Sequence, residues 1–269
     1  MYRFVLKPRW ILSHLFVLLI VAGCLIAGFW QLGRWHEKRD LIHRYKELSA
    51  VPMVPVGELI SMESTPQQIQ ELTLRQVQVR GHYLADEQVT VRNRTYEGAP
   101  GFYVLTPLLM PSGEAVVINR GWVPYSIGET AEAMQAAAPP KGEVVVEGTV
   151  TATQSKGAFG ATDPAEGHLR ELARADIARI AHQVDAPVLP AYVTLEAQSP
   201  APGDVPVMVE AAPPNEGPHR DYAVQWFIFT SIALGGYPLI LRKVARERAA
   251  GQKGSALRPK RSKLVPVDD

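Results

Sequence analysis

The chain has 269 residues, 46% of them hydrophobic, enough for one sizeable core and at most two domains. Its single cysteine, Cys24, excludes an intrachain disulfide and any cysteine-pair metal site. The net charge of +1 conceals a polarised chain: Arg3, Lys7 and Arg9 open it, nine basic residues against three acids follow from Arg242, and 24 acids against 16 basic residues lie between. That acidic middle lacks the basic footprint of a nucleic-acid partner.

Ile11 to Leu32 reads ILSHLFVLLIVAGCLIAGFWQL, with His14 and Gln31 as its only strongly polar side chains. Twenty-two helical residues rise about 33 Å, enough to cross a hydrocarbon layer of about 30 Å. Tyr222 to Leu241 is a second such segment. Trp10, Trp30 and Trp35 flank the first, and Tyr222, Trp226 and Tyr237 lie towards the ends of the second, as aromatic belts do at headgroup level. Arg242, Lys243, Arg246 and Arg248 follow the second span, against Arg220 before it, which predicts a cytoplasmic tail and, after two crossings, a cytoplasmic amino terminus. Val21-Ala22-Gly23-Cys24 resembles a lipoprotein processing box, but Leu25 to Trp30 continue the apolar run, so a retained helix explains the segment better. The expected organisation is a cytoplasmic amino terminus (1–10), a first span (11–32), an extracytoplasmic β-rich domain (33–221), a second span (222–241) and a basic cytoplasmic tail (242–269).

Arg34 to Leu48 continues the first helix as a charged, amphipathic stretch that Pro52 and Pro55 end. Strand-like runs follow at Leu72–Tyr83, Gln88–Arg92, Phe102–Leu109, Ala115–Asn119, Val144–Thr151, Tyr192–Glu196 and Val205–Glu210. Turn signals stand at Glu97-Gly98-Ala99-Pro100-Gly101 and Pro111-Ser112-Gly113. Two short helices are predicted, at Glu129–Ala138 and Glu171–Val184. The expectation is a membrane protein whose two transmembrane α-helices flank an antiparallel β-rich domain, barrel- or sandwich-like, with a few short helices.

Catalytic motifs do not emerge. The middle domain holds His82, His168, His182 and His219 but no nucleophile elbow and no His-Glu-x-x-His spacing. In Asn119-Arg120-Gly121-Trp122-Val123-Pro124 the glycine reads as a turn, the tryptophan as packing and the proline as a strand stop, with a binding role for Arg120 or Trp122 as the alternative. Arg92, Arg94 and Arg120 would be the residues to test for an extracytoplasmic enzyme. His14, inside the first span, reads either as a functional intramembrane group or as a headgroup-level side chain four residues from Trp10. His219 lies three residues before Tyr222, where a neutral imidazole could donate its Nε2 lone pair to haem iron, with Tyr222, Trp226 and Phe227 offering flat apolar contact; the other reading is an interfacial histidine facing headgroups or water.

Four strings together resemble the Surfeit-locus family of cytochrome c oxidase assembly factors. Gly28-Phe29-Trp30-Gln31-Leu32-Gly33-Arg34-Trp35-His36-Glu37-Lys38 is similar to the family's Gly-x-Trp-Gln-Leu-x-Arg-x-x-x-Lys stretch. Arg94 to Gly98 with Pro100-Gly101-Phe102 and Thr106-Pro107-Leu108 looks like its strand-and-turn segment. Val117 to Pro124 resembles its most recognisable string, and Pro218 to Phe227 its His-x-x-Tyr-Ala-x-x-Trp-Phe entry to the second helix. The resemblance implies a non-enzymatic role in a bacterial-type inner membrane: assisting assembly of the oxidase by holding haem a or delivering it to the catalytic subunit. It makes His219 the candidate axial ligand to haem iron, and Tyr222 and Trp226 candidate haem-packing residues. Membrane lipid, haem a and the catalytic subunit are the implied partners. The family carries an asparagine at or just before this histidine, whereas here Asn215 stands four residues upstream. A cofactor-free scaffold for an oxidase subunit is the alternative.

Overall fold

A computed structural model describes residues 3–130, 132–155, 160–209 and 214–256. The chain divides into two compact units, one of Met1–Ile42 with Pro214–Asp269 and the other His43–Pro213. The helix α1 runs unbroken over Pro8–Ala50, so the apolar segment and its charged continuation form one element that ends just before Pro52. Beyond it Arg75, almost fully buried, donates to the carbonyls of Val51 (3.0 Å), Gln76 (3.2 Å) and Pro52, which fixes the chain as it leaves the helix.

Among the described residues, the His43–Pro213 unit is built on eight strands and three short helices. In chain order they are β1 (Val54–Pro55), α2 (Pro66–Leu72), β2 (Gln76–Tyr83), β3 (Val89–Tyr96), β4 (Ala99–Leu109), β5 (Ala115–Pro124), α3 (Tyr125–Gly128), β6 (Glu143–Ala152), β7 (Glu171–Leu172), α4 (Ile177–Ala181) and β8 (Val188–Ser199). The sheet order is β1-β2-β6-β8-β5-β4-β3-β7, and β2 also pairs with β4 through His82↔Leu109 and Tyr83↔Leu108. That extra pairing closes β2, β6, β8, β5 and β4 into a five-stranded barrel, which removes the edges an open sheet would expose.

The barrel is filled by one face of each strand: Val77 and Val79, Val144 and Val146, Val193 and Leu195, Val116 and Ile118, and Leu108. The alternate residues of β5 and β8, among them Ala115, Val117 and Tyr192, face a second apolar cluster completed by Val89, Leu172, Ile177 and Ile180. Because both faces are covered, β5 is buried at every position but its last, and its AVVI run carries no alternation.

The sheet is mixed, which corrects the antiparallel expectation: β1 pairs parallel with β2, β3 with β7, and β5 with β8. Only short turns force antiparallel neighbours. Glu97 and Gly98 both have positive φ (48° and 82°), the type I′ geometry that joins β3 to β4. Residues 125–142 and 153–187 are long enough to cross the sheet, and they let β8 insert between β5 and β6.

Other expectations shift for local reasons. Leu72 ends α2 instead of opening a strand, since Thr65 and Gln68 form a reciprocal capping box around Pro66. In place of a helix over 129–138 there is α3 and a 3-10 turn at Ala133–Ala137. The predicted helix over 171–184 shrinks to α4, started by the Asp176 carboxylate accepting from Arg179 N at 3.1 Å, because Glu171 and Leu172 are taken by the edge of β3. Of the run 205–210, Val207 forms a lone bridge to Trp122 and Glu210 lies outside the described residues.

The other unit pairs α1 with α5 (His219–Ala256), both long and apolar enough by length and composition to cross a membrane. Along α1 one line of at least partly buried residues recurs at alternating steps of three and four: His14, Val17, Val21, Cys24, Gly28 and Gln31, with Ser13, Leu25, Ala27 and Leu32 beside it. On α5 the corresponding line runs His219, Ala223, Trp226 and Thr230, with Phe227 beside it. These are the seams of two helices packed at a shallow angle. Gly28 permits a close approach: a Cβ there would sit 3.0 Å from the Phe227 ring, whose centre lies 5.4 Å from that of Phe29 in an edge-to-face pair. Leu12, Phe16 and Leu19, with Ile228, Ile232 and Leu239, point away from the seam and are exposed.

Candidate functional site

His219 is the first residue of α5 and is partly buried. Its Nδ1 lies 2.8 Å from the Gln31 amide oxygen on α1. An amide oxygen only accepts, so Nδ1 is the donor in this contact and Nε2 is the nitrogen turned away from it. One turn along α1 from Gln31, Trp35 donates its Nε1–H to the Glu216 carboxylate at 2.9 Å. The Arg39 guanidinium stacks over the Trp35 ring at 4.8 Å, and His36 packs on it edge-on at 4.9 Å. Asn215, the candidate substitute for the family's asparagine, does not reach the imidazole; its Oδ1 accepts from Gly217 N at 3.1 Å and so shapes the turn before the helix.

Tyr222 and Trp226 follow His219 at steps of three and seven, the spacing of one helix face. Tyr222 is 48% exposed, and Trp226 stands edge-on to Phe229 at 5.9 Å. The structure therefore brings His219, Tyr222 and Trp226 onto one stripe of α5 and adds Gln31. In the sequence Gln31 stands out only as a polar residue in an apolar span; its step of seven from Cys24 is the signal that it belongs to the seam.

His14 is a different case. Its Nδ1 meets the Tyr237 hydroxyl at 2.6 Å and its Nε2 the Val5 carbonyl at 3.2 Å, while the Tyr237 hydroxyl also meets Ser13 Oγ at 3.0 Å. The Val5 carbonyl accepts from Nε2, and the Tyr237 hydroxyl, which donates its one proton to Ser13 Oγ, lies against Nδ1. Both nitrogens are engaged, one of them in holding α1 to α5, which explains the histidine without a ligand.

In the β unit Arg120 is buried, with 2% of its surface exposed, and no carboxylate pairs with it among the described residues. Its Nη1 donates to Ala137 O (2.6 Å) and Gln88 Oε1 (2.9 Å), its Nη2 to Ala138 O (3.2 Å), and its guanidinium lies 5.4 Å from the centre of the Tyr83 ring. Burial lowers the pKa of Arg120 from its ordinary value and raises that of Tyr83. The guanidinium thus ties the 133–137 turn to the barrel. Gly121 has φ 130°, and a Cβ there would fall 2.1 Å from Val207 O, so the glycine is required by a close backbone approach within a continuing strand rather than by a strand end. Trp122 donates its Nε1–H to Arg94 O at 3.1 Å. Arg92 pairs with Glu171 (2.9 Å) and Asp163 (3.5 Å), and Arg94 donates to Gln154 Oε1 at 2.8 Å. Arg92, Arg120 and Trp122 are thus spent on internal contacts, whereas Arg94 bonds Gln154 through Nη2 and leaves its buried Nε without a partner among the described residues.

A closed β barrel whose sequence lies between two long apolar helices, with a histidine at the start of the second, defines the class of protein. The chain belongs to the SURF1 family, whose model matches residues 18–231. It is similar to an uncharacterized SURF1-like protein of Mycobacterium tuberculosis, 25% identical over 92% of this chain and 90% of that one. A SURF1-like protein of Monosiga brevicollis is 26% identical over 80% of this chain and 82% of its own length. The cytochrome oxidase assembly protein SHY1 of Saccharomyces cerevisiae is 29% identical across 42% of this chain and 28% of the yeast protein.

Proposed function

We propose that this chain is a membrane-anchored assembly factor for cytochrome oxidase that holds haem a at the outer end of its two apolar helices and hands it to the catalytic subunit. The observation that carries the reading is the His219 imidazole, whose Nδ1 is satisfied by Gln31 while Nε2 remains the basic nitrogen. That is the arrangement of a metal-binding imidazole whose other nitrogen is already committed. The residues fit the group: His219 would supply an imidazole nitrogen, and Tyr222 and Trp226 would supply apolar ring surface on the same stripe. Phe227 closes the seam against Gly28, and the exposed Tyr222 ring is the apolar surface that would hold the group beside His219.

Helices α1 and α5 span a bacterial-type plasma membrane in this reading, with both termini cytoplasmic and the barrel outside. The basic residues Lys7, Arg9, Arg242, Lys243 and Arg246 support that orientation. The exposed apolar side chains then face lipid. The role is that of a carrier, not a catalyst: a bound haem needs only to be shielded and then surrendered to a stronger ligand set. The yeast relative's name and the family support the link to oxidase assembly.

The test is the optical spectrum of the protein purified from cells that make haem a, beside a His219→Ala variant. A reduced haem a band in the parent, absent from an equally expressed variant, upholds the reading. Haem retained in the variant removes His219 as the ligand. The closed seam favours a second reading, a cofactor-free scaffold, which gains if the parent carries no haem yet co-purifies with the oxidase catalytic subunit.

A further inference from the structure

We infer that Gln31 is a positioning residue for His219: it dictates which imidazole nitrogen is presented to iron and makes that presentation depend on the pairing of α1 with α5. The inference rests on the haem reading above and deepens it.

A neutral imidazole in water favours the tautomer with its proton on Nε2, which hides the nitrogen best placed to ligate. An acceptor on Nδ1 reverses that preference. Gln31 Oε1, at 2.8 Å, is such an acceptor, and it comes from the other helix. A second cross-helix bond, Trp35 Nε1 to Glu216 at 2.9 Å, fixes the turn that leads into His219. Gln31 and Trp35 are one turn apart on α1, and Glu216 and His219 are three residues apart at the entry to α5, so the two bonds form successive rungs. Between them Gly217 has φ 63°, and a Cβ there would stand 3.6 Å from His219 Nε2. Its absence keeps the space beside that nitrogen clear.

With the ligand on one helix and its orienting group on the other, ring and acceptor stay in register only while the outer ends of the helices remain together. A partner that parts them lets the imidazole rotate and change tautomer. Affinity falls at the moment of contact, which is what a carrier that must give up its cargo requires.

The full-length protein in detergent, labelled with 15N-histidine and free of haem, gives a two-bond 1H–15N spectrum in which His219 is assigned by its loss in His219→Ala. At alkaline pH, where the ring is neutral, the parent is expected to show Nδ1–H, Gln31→Leu to shift towards Nε2–H, and Gln31→Glu to keep Nδ1–H. Haem a affinity, titrated separately, is expected to fall roughly 10- to 100-fold in Gln31→Leu, as for lost outer-shell partners of metal ligands, and to return in Gln31→Glu. An Nε2–H tautomer in the parent, as when the amide donates instead of accepts, overturns the inference. So does a Gln31→Leu protein of unchanged helix content with parental tautomer and affinity. If the tautomer responds as expected but the parent binds no haem a, Gln31 keeps its positioning role and only the haem reading fails.

Discussion

Replacing Arg120 by methionine separates a structural guanidinium from a ligand-binding one. The substitution keeps much of the side-chain volume and removes the charge. Ala137 is fully buried, so its carbonyl is left without a donor, at about 1–3 kcal/mol. Ala138 is exposed and water can replace its lost bond. Gln88 Oε1 still accepts from Thr106 Oγ1 at 3.1 Å. Loss of the cation over the Tyr83 ring adds about 0.5–2 kcal/mol. Against these stands relief from holding a cation out of water with no counter-charge, which returns part of the cost. The net expectation is a loss of about 2 kcal/mol, or about 4–8 °C in Tm for a unit of this size. Arg120→Ala adds a cavity and should lose about 2 kcal/mol more. Thermal unfolding of the full chain in detergent, followed by fluorescence and compared with the same variants in a Trp122→Phe background to isolate the signal of Trp122, the sole tryptophan between residues 43 and 213, reads this. A methionine variant as stable as the parent that has lost oxidase assembly would refute the reasoning and make Arg120 a binding residue.

Three further predictions concern the same core and the helix seam. The buried Tyr83 and Tyr192 hydroxyls have raised pKa values, so above about pH 10 the unfolded chain sheds protons that the folded one keeps. Stability is therefore full below about pH 10 and falls as the pH rises beyond it; denaturation at pH 9 to 11 should show a shallower fall in Tyr83→Phe, and an equal slope would contradict the assignment. Gly121→Ala puts a methyl group against Val207 O at positive φ and should cost about 3 kcal/mol or more, visible as a lowered Tm or loss of folded protein. Gly28→Ile pushes on the Phe227 ring and should open the seam; a membrane-permeant maleimide is then expected to label buried Cys24, one turn away, at least about tenfold faster than in the parent.

How far the fold can be read depends on the range of each interaction. The two end helices are legible because length and apolarity are local properties. Strands β2 and β6 are legible because one face of each packs inward and the chain alternates, and β4 because its apolar run stands between two turn signals. The neighbours are not. Nothing within Ala115–Pro124 or Val188–Ser199 says that they lie side by side and parallel, since that pairing is decided by two long crossovers and by which apolar face each strand has left to bury. Arg120 is legible as unusual but not as buried, because two of its partners are main-chain carbonyls of residues 137 and 138, which carry no side-chain signal. The capping box at Thr65-Pro66-Gln67-Gln68, by contrast, is a purely local signal for α2, and the strong alternation after Leu72 draws the strand too far upstream.

The candidate site depends on a relation between two residues 188 positions apart. Taken alone, Gln31 is an unexplained polar group at the end of an apolar span, and His219 an imidazole at the start of another. Each costs free energy to desolvate and neither needs the other in any local pattern. The seam supplies the relation: alternating steps of three and four carry Cys24 and Gly28 on to Gln31, and Thr230, Trp226 and Ala223 back to His219, so packing of the small and apolar residues fixes where the two polar ones meet. Helix pairing thereby places a hydrogen-bond acceptor on one nitrogen of the imidazole and leaves the other basic. The residues that close the seam, Gly28 and Phe227 above all, would on the proposed reading set how firmly that nitrogen is offered. A variant that loosens the seam several residues away, such as Gly28→Ile, should then weaken haem a binding while His219 and Gln31 themselves are untouched, and unchanged affinity in a variant with a demonstrably opened seam would break the link between packing and presentation.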